Sequence, residues 1–372
     1  MDKLRVLIID DSVIFRNIVS MAVDSTGLGI AEHSVPNGAL ALEWLQQRSF
    51  DLILLDAVLS GSNKNELICT IRNKYPDLDI IIMGKDDIDS IALTLEALKN
   101  GAMDFIVKSA DVDLANEKDR LKNHLHVLFA QIMVKKFSVL NGSDRASITD
   151  AVVDQSSITS PQNRKTVLPN NKWNGADVIV IASSTGGPAA LETVFSQIPA
   201  SFNKPILVVQ HMPAEFTKIL AQTLNKKYAL PVSEGKEGDP VKGGHALVAP
   251  GGWHMKIDAG SNSLGRLRME NTPYVNGVRP SADVLFRSVA NVYRGMNILA
   301  VILTGMGNDG LIGVSEIKKS CNCYCLTQSE RSCVVYGMPR TVYEAGLSDE
   351  VADLKDIAGR ICQLAQSGGR IA

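Results

Sequence analysis

Apolar runs too short for helices recur along the chain, separated by stretches with helical spacing. Residues 5–9, 30–34, 52–55, 79–83 and 104–107 are such runs, bounded by polar or turn-forming residues, and they predict five strands. Between the first two, Ile14, Ile18, Val19, Ala22 and Val23 fall on one helical face; before the fifth, Leu93, Leu95, Ala97 and Leu98 form a less regular set. Strands alternating with helices of this length predict a doubly wound parallel sheet over residues 1–130. The pattern then fades: residues 131–172 are polar, rich in Ser, Pro and Asn toward their end, which predicts a flexible linker with helix only around 121–134. His124 and His126 lie two residues apart, off a common helix face, and receive no ligand role.

Strand–helix units resume over 173–372 and predict a second doubly wound parallel sheet, so the fold class is α/β with two such domains. The run Val-Ile-Val-Ile-Ala from Val178 leads into Ser-Ser-Thr-Gly-Gly and Pro188, a residue suited to the first position of a helix. A run at 206–210 ends in His211-Met212-Pro213, and one at 298–304 ends in Gly305-Met306-Gly307-Asn308-Asp309-Gly310. Short alternating runs at 245–249 and 253–257, separated by Gly-rich turns, predict hairpins beside the main sheet. His245 and His254 end no parallel strand and are read as structural. Leu354, Ile357, Ala358, Ile361 and Leu364 predict a packed closing helix.

Composition narrows the function classes. The 372 residues carry 38 Lys and Arg against 40 Asp and Glu, a net charge of -2, so nothing draws the whole molecule to nucleic acid or anionic lipid. No apolar run approaches the ~20 residues of a membrane helix, and the chain begins without a signal-peptide pattern; a soluble cytoplasmic protein is expected. Cys321, Cys323 and Cys325 alternate along a strand-like run without the second pair of a zinc site, and are read as buried reduced thiols.

Charge closes three strands of the first domain: Asp10 and Asp11 after the first, Asp56 after the third, Lys108 after the fifth. In an open parallel sheet these groups gather at the carboxyl edge, where such sheets bind ligands. Three carboxylates together repel unless a cation joins them, and a hard dication such as Mg²⁺ takes oxygen ligands. An Asp beside that metal, with a Lys for a phosphoryl oxygen, is an acceptor for transient aspartyl phosphate. A single Asp after a strand is usually a helix cap; four matching positions favour a site.

This constellation resembles the receiver domain of bacterial two-component response regulators, a flavodoxin-type fold. The resemblance implies Asp56 as phosphoacceptor, Asp10, Asp11 and Asp56 as the acids of a Mg²⁺ site, Lys108 as phosphate contact, and a histidine kinase as phosphodonor. The sequence departs from that family at Gly84, where a Ser or Thr hydroxyl carries the switch, at Ser109, where Pro follows the Lys, and after Asp56, where Ala-Val-Leu-Ser replaces a Met-Pro pair. Glycine has no hydroxyl to bond a phosphoryl group, so weak activation by phosphodonor is expected.

In the second domain a Ser, a His and an Asp each follow a different buried strand, and such ends meet at one crevice. A serine hydroxyl needs a base, and the imidazole needs a carboxylate to fix its tautomer. Ser184, His211 and Asp309 fit those roles, in an order along the chain unlike α/β-hydrolases and without their G-x-S-x-G frame. The glycine loops also admit a phosphate cradle and hence a nucleotide-binding module, although neither has P-loop or G-x-G-x-x-G spacing.

Six blocks, at 183–188, 208–213, 249–254, 279–286, 303–310 and 333–340, resemble in order the catalytic domain of chemotaxis protein-glutamate methylesterases, a Rossmann-like fold. With the receiver and linker the resemblance spans nearly the whole chain. It implies Ser184 as nucleophile, His211 as base, Asp309 as orienting acid and the backbone N–H of Met306 as an oxyanion donor, with no cofactor for the ester chemistry. It further implies glutamyl γ-methyl esters of methyl-accepting chemoreceptors as substrates, glutamine deamidation at the same site, control by a chemotaxis histidine kinase, and approach to the membrane only through receptors. Ser183 stands where that family usually has Ala, so the choice within the serine pair stays open, as does substrate contact, salt bridge or cap for Arg279 and Asp283. A non-catalytic scaffold is the other rival.

Overall fold

The inner strands of the first sheet are almost wholly buried, as parallel strands covered by helices on both faces must be, while the edge strand at 29–35 carries Glu32, His33 and Ser34. The computed structural model describes residues 2–59, 64–108, 114–144, 173–260 and 264–366. In the first domain β1 (Leu4–Ile9), β2 (Gly29–Val35), β3 (Leu52–Asp56), β4 (Asp79–Lys85) and β5 (Asp104–Lys108) alternate with α1 (Val13–Ser25), α2 (Gly38–Gln47), α3 (Lys64–Lys74), α4 (Ile88–Lys99) and α5 (Leu114–Asp144). The sheet order is β2-β1-β3-β4-β5, every pairing parallel. All five strands expected from the sequence are present within about a residue or two at each end.

Two expectations shift. Val19, Ala22 and Val23 of α1 are buried, but Ile14 is 65% exposed. It sits in the first turn, just after the Ser12 cap, before the helix has settled onto the sheet. The helix foreseen around 121–134 runs from Leu114 to Asp144, so it takes up the first third of the segment read as linker. The remainder of that segment, 145–172, and Ser109 lie outside the described residues.

The second domain contains β6 (Val178–Ser183), α6 (Gly187–Phe195), β7 (Ile206–Gln210), α7 (Ala214–Lys227), β8 (Val232–Glu234), β9 (Ala246–Val248), β10 (His254–Asp258) and β11 (Arg266–Glu270). It continues with α8 (Ala282–Val292), β12 (Asn297–Ile302), α9 (Leu311–Ser320), β13 (Asn322–Gln328), α10 (Met338–Glu344), β14 (Glu350–Ala352) and α11 (Leu354–Ala365). Seven strands form a parallel sheet in the order β14-β13-β12-β6-β7-β9-β8. The run at 245–249 is therefore a strand of the main sheet, which corrects the hairpin expected there. All three residues of β9 are buried, as two covered faces require, whereas a hairpin leaves one face wet. Among the named strands of the described residues, only β10 and β11 pair antiparallel.

One core cluster joins Val178, Val180, Ile298 and Ala300 of the central strands to Leu285, Phe286 and Val289 of α8, and takes in Cys323 and Cys325. All six cysteines are free, and Cys321, half-buried rather than buried as expected, packs against that cluster from just before β13. The closing helix α11 buries Ile357, Ala358, Ile361 and Leu364 as its spacing requires. Among the described residues no helix is long and apolar enough to cross a membrane.

Candidate active site

Sheet order decides what can meet. The central strand β6 lies between β12 and β7, so the carboxyl ends that carry Ser184, His211 and the 303–310 loop are immediate neighbours. Gly186 takes φ +74 at the turn from β6 into α6, a left-handed conformation in which a side chain would also strike Val334. That turn leaves Ser184 half-buried at the edge while Ser183, the last residue of β6, is fully buried. Ser183 Oγ donates to Gln210 Oε1 at 2.6 Å. Ser184 is thus the accessible member of the pair.

Backbone bonds hold Ser184 in place: its N–H donates to Thr304 O at 3.0 Å and its carbonyl accepts from Gly187 N at 2.7 Å and Gln210 Nε2 at 3.0 Å. Its Oγ makes no hydrogen bond among the described residues, so the nucleophile and base foreseen from the sequence share an edge without a formed bond between them. The loop bearing Met306 passes close by, since a Cβ on Gly305 would come within 2.8 Å of Ser184 Cβ and 2.5 Å of Met338 Sδ. Only glycine fits at 305. Met306 itself is 36% exposed at the rim.

His211 follows β7, its N–H donating to Ser183 O at 3.1 Å, and its Nε2 lies 2.8 Å from Asp309 Oδ2. Asp309 is buried, yet well supplied with donors. Oδ1 accepts from Asn276 Nδ2 at 2.8 Å, Ser281 Oγ at 2.7 Å and Asp283 N at 3.2 Å, and Oδ2 accepts from Ala282 N at 2.6 Å besides facing His211. Burial pushes this carboxyl up, but the His211 bond and charge, with Ser281 and Ala282, overturn that effect and hold it at about 2. With Asp309 ionised, the imidazole proton belongs on Nε2, and Nδ1 is left as the basic nitrogen.

Asp283 is fully buried as a helix cap, and among the described residues it forms no salt bridge. Its buried Oδ1 accepts from Gly310 N at 3.0 Å and Gly313 N at 2.7 Å, the amino end of α9. The glycine loop before α9 therefore already holds a carboxylate of this chain where a nucleotide-binding module would hold phosphate. Arg279 donates to Thr272 O at 2.8 Å and lies over the Tyr274 ring at 4.7 Å. His254 is structural as expected, its Nδ1 accepting from Ser281 N at 3.2 Å; His245 bonds Ser233 at 2.8 Å.

In the first domain Lys108 Nζ bridges Asp10 Oδ2 at 2.6 Å and Asp56 Oδ2 at 2.8 Å, lying over the Phe15 ring at 4.3 Å. Asp10, Asp11 and Asp56 each offer an oxygen within 4.8 Å of the others, two buried and one exposed. Burial pushes the Asp56 carboxyl up, against the opposing charge and hydrogen bond of Lys108. Gly84 lies in β4 opposite Val107 and brings no hydroxyl to this edge.

Sequence reasoning missed Gln210, Thr304, Asn276 and Ser281. Gln210 was visible only as the residue before His211; its amide ties Ser184 O to His211 O at 3.3 Å. Thr304 Oγ1 donates to Thr185 O at 3.0 Å and accepts from Val334 N, pinning the loop. The Asn276-Gly277 pair signals a tight turn, and the turn is present, but spacing says nothing of where the amide points.

Residues 179–361 match the family described as CheB methylesterase, and residues 6–118 match the response regulator receiver domain. A protein-glutamate methylesterase/protein-glutamine glutaminase of Desulfotalea psychrophila is 38% identical over 368 residues, covering 97% of this chain and 98% of that one. Relatives of the same description from Trichodesmium erythraeum and Treponema denticola are 35% and 33% identical, each covering 97% of this chain and 99% and 98% of their own. This chain belongs to the family of protein-glutamate methylesterase/protein-glutamine glutaminase response regulators, a receiver joined to a CheB methylesterase domain.

Proposed function

We propose that this protein hydrolyses glutamyl γ-methyl esters on methyl-accepting chemoreceptors, and deamidates receptor glutamines at the same site, under control of phosphorylation in its receiver. The observation that carries the reading is the 2.8 Å contact of His211 with an ionised Asp309 on the strand edge that also presents Ser184. Ser184 Oγ attacks the γ-carbonyl carbon as its proton passes to His211 Nδ1, and Asp309 stabilises the imidazolium. The tetrahedral oxyanion is received by the backbone N–H of Met306 in the loop against Ser184. Collapse breaks the C–O bond, His211 returns the proton to the leaving methoxide, and methanol departs; for glutamine, ammonia departs instead. Water, deprotonated by His211, then cleaves the acyl-enzyme to the free carboxylate and regenerates Ser184.

In the receiver the donor set suits a hard dication, three carboxylates with oxygens within 4.8 Å of one another. Asp10, Asp11 and Asp56 would hold Mg²⁺, which when bound offsets the charge of an incoming phosphoryl group. Asp56 accepts the phosphoryl from a chemotaxis histidine kinase, and Lys108 contacts its oxygens. A scaffold role is disfavoured because the triad residues are all present at one edge. Methanol released by the full chain from methylated receptor tests the reading: Ser184→Ala is expected to abolish it, and methanol release persisting in that variant would refute the assignment.

A further inference from the structure

Asp309 and Asp283 are buried side by side and cap each other's helices. Asp309, just before α9, accepts from Ala282 and Asp283 at the start of α8; Asp283, in the first turn of α8, accepts from Gly310 and Gly313 of α9. Asn276 joins the two. Its Nδ2 donates to Asp309 Oδ1 at 2.8 Å and to Asp283 Oδ2 at 2.9 Å, which uses both amide hydrogens. Yet Asn276 is an exposed residue, at φ 55 in the Asn-Gly turn closed by Val275 and Val278.

We propose that Asn276, oriented by Asp283, is a positioning residue for Asp309, fixing Oδ1 so that Oδ2 is presented to His211. The inference rests on the triad reading above. An Asn-Gly turn accounts for asparagine at 276, but not for an amide that donates to two buried carboxylates. Two carboxylates facing one amide admit only its NH₂ end, because its oxygen would meet negative charge on both sides. Asp283 thereby sets which way Asn276 points. Asn276, Ser281 and the Asp283 N–H together hold Oδ1 against rotation of the carboxylate, and a charged hydrogen bond in such a place is worth enough to alter turnover.

Charged and titratable groups around this cluster are Asp283 and Arg287 on α8, Asp309 before α9, His211 after β7, His254 on β10 and Arg279 beside the turn. The arginines keep their charge throughout the range used below.

The test uses the full chain, methanol release from methylated receptor, and Ser184→Ala as the blank. Asn276→Gly keeps the left-handed turn and removes the amide. It is expected to lower kcat per folded molecule about tenfold to hundredfold, with KM within about twofold and the melting temperature down by a few degrees. Asn276→Asp keeps the shape but replaces both donors by acceptors beside two carboxylates. Its activity relative to wild type should rise as pH falls from about 8 to about 6, where a proton shared in the cluster lets the new carboxyl donate. Wild-type kcat per folded molecule in Asn276→Gly, or an Asn276→Asp activity ratio flat with pH, overturns the positioning role while an inactive Ser184→Ala leaves the triad standing. An active Ser184→Ala instead removes the triad reading, and this inference with it.

Discussion

Two buried carboxylates, Asp56 and Asp309, sit at the carboxyl edges of two parallel sheets, and their acidities move in opposite directions. Asp56 is pushed up by burial despite Lys108 at 2.8 Å, while Asp309 is held at about 2 despite deeper burial. Donor supply separates them. Asp309 faces five, two of them backbone N–H groups at the start of α8, whereas Asp56 has the Lys108 ammonium, shared with Asp10, and the Val58 N–H. A carboxylate with five donors is a finished orienting group for an imidazole. One with a shared cation, next to two further acids, remains suited to a metal and a phosphoryl group.

Breaking the proposed triad has the largest expected effect. His211→Ala should lower kcat for methanol release by on the order of 10⁶ and Asp309→Ala by about 10⁴, and equal losses in the two would mean that Asp309 does more than orient the base. Removing the receiver's cation comes next. Lys108→Met leaves buried carboxylates uncompensated and should destabilise the receiver by about 3 kcal/mol in urea unfolding. Added Mg²⁺ should recover part of that loss if the three acids bind it, and no Mg²⁺-dependent recovery would count against the metal site.

The opposite acidities predict opposite pH slopes. Asp309, held at about 2, contributes about 2 kcal/mol that is present above about pH 4 and is lost as pH falls through the folded value. Asp309→Asn should flatten that acid-side loss. Asp56 is raised, so its charge opposes folding above its folded value. Asp56→Asn should therefore raise the receiver's melting temperature at neutral pH, and a lowered one would show that the Lys108 pair outweighs burial. The smallest effect concerns the switch. With Gly84 on β4 in place of a hydroxyl, acetyl phosphate should change methanol release by no more than about twofold, and Gly84→Ser should enlarge the response. Strong activation of the wild type that disappears in Asp56→Asn would show that another group reads the phosphate.

Much of the fold was legible because strands covered on both faces must be apolar throughout, and turns at the carboxyl edge must be polar. That is why 206–210 emerges as a strand ending just before His211, and why Asp10, Asp56 and Lys108 group together on their positions along the chain alone. The hairpin misreading at 245–249 has the same root: three buried residues between Gly-rich turns look alike in a parallel strand and in a short hairpin arm. The later turns of α5 went unread for a different reason: Met133, Phe137 and Leu140 keep helical spacing, but they lead straight into a polar stretch rich in Ser, Asn, Gly and Asp.

Sequence by itself determined the order of elements, the two α/β domains and the residue types at each strand end, because burial and backbone geometry constrain those locally. Tertiary structure alone decided which serine faces outward, through the bond of Ser183 to Gln210, and which ring nitrogen of His211 meets Asp309. It also decided that Asn276, Ser281 and the start of α8 converge on one carboxylate. Such contacts join residues 27 to 98 positions apart, and no local pattern records where a side chain points across that distance.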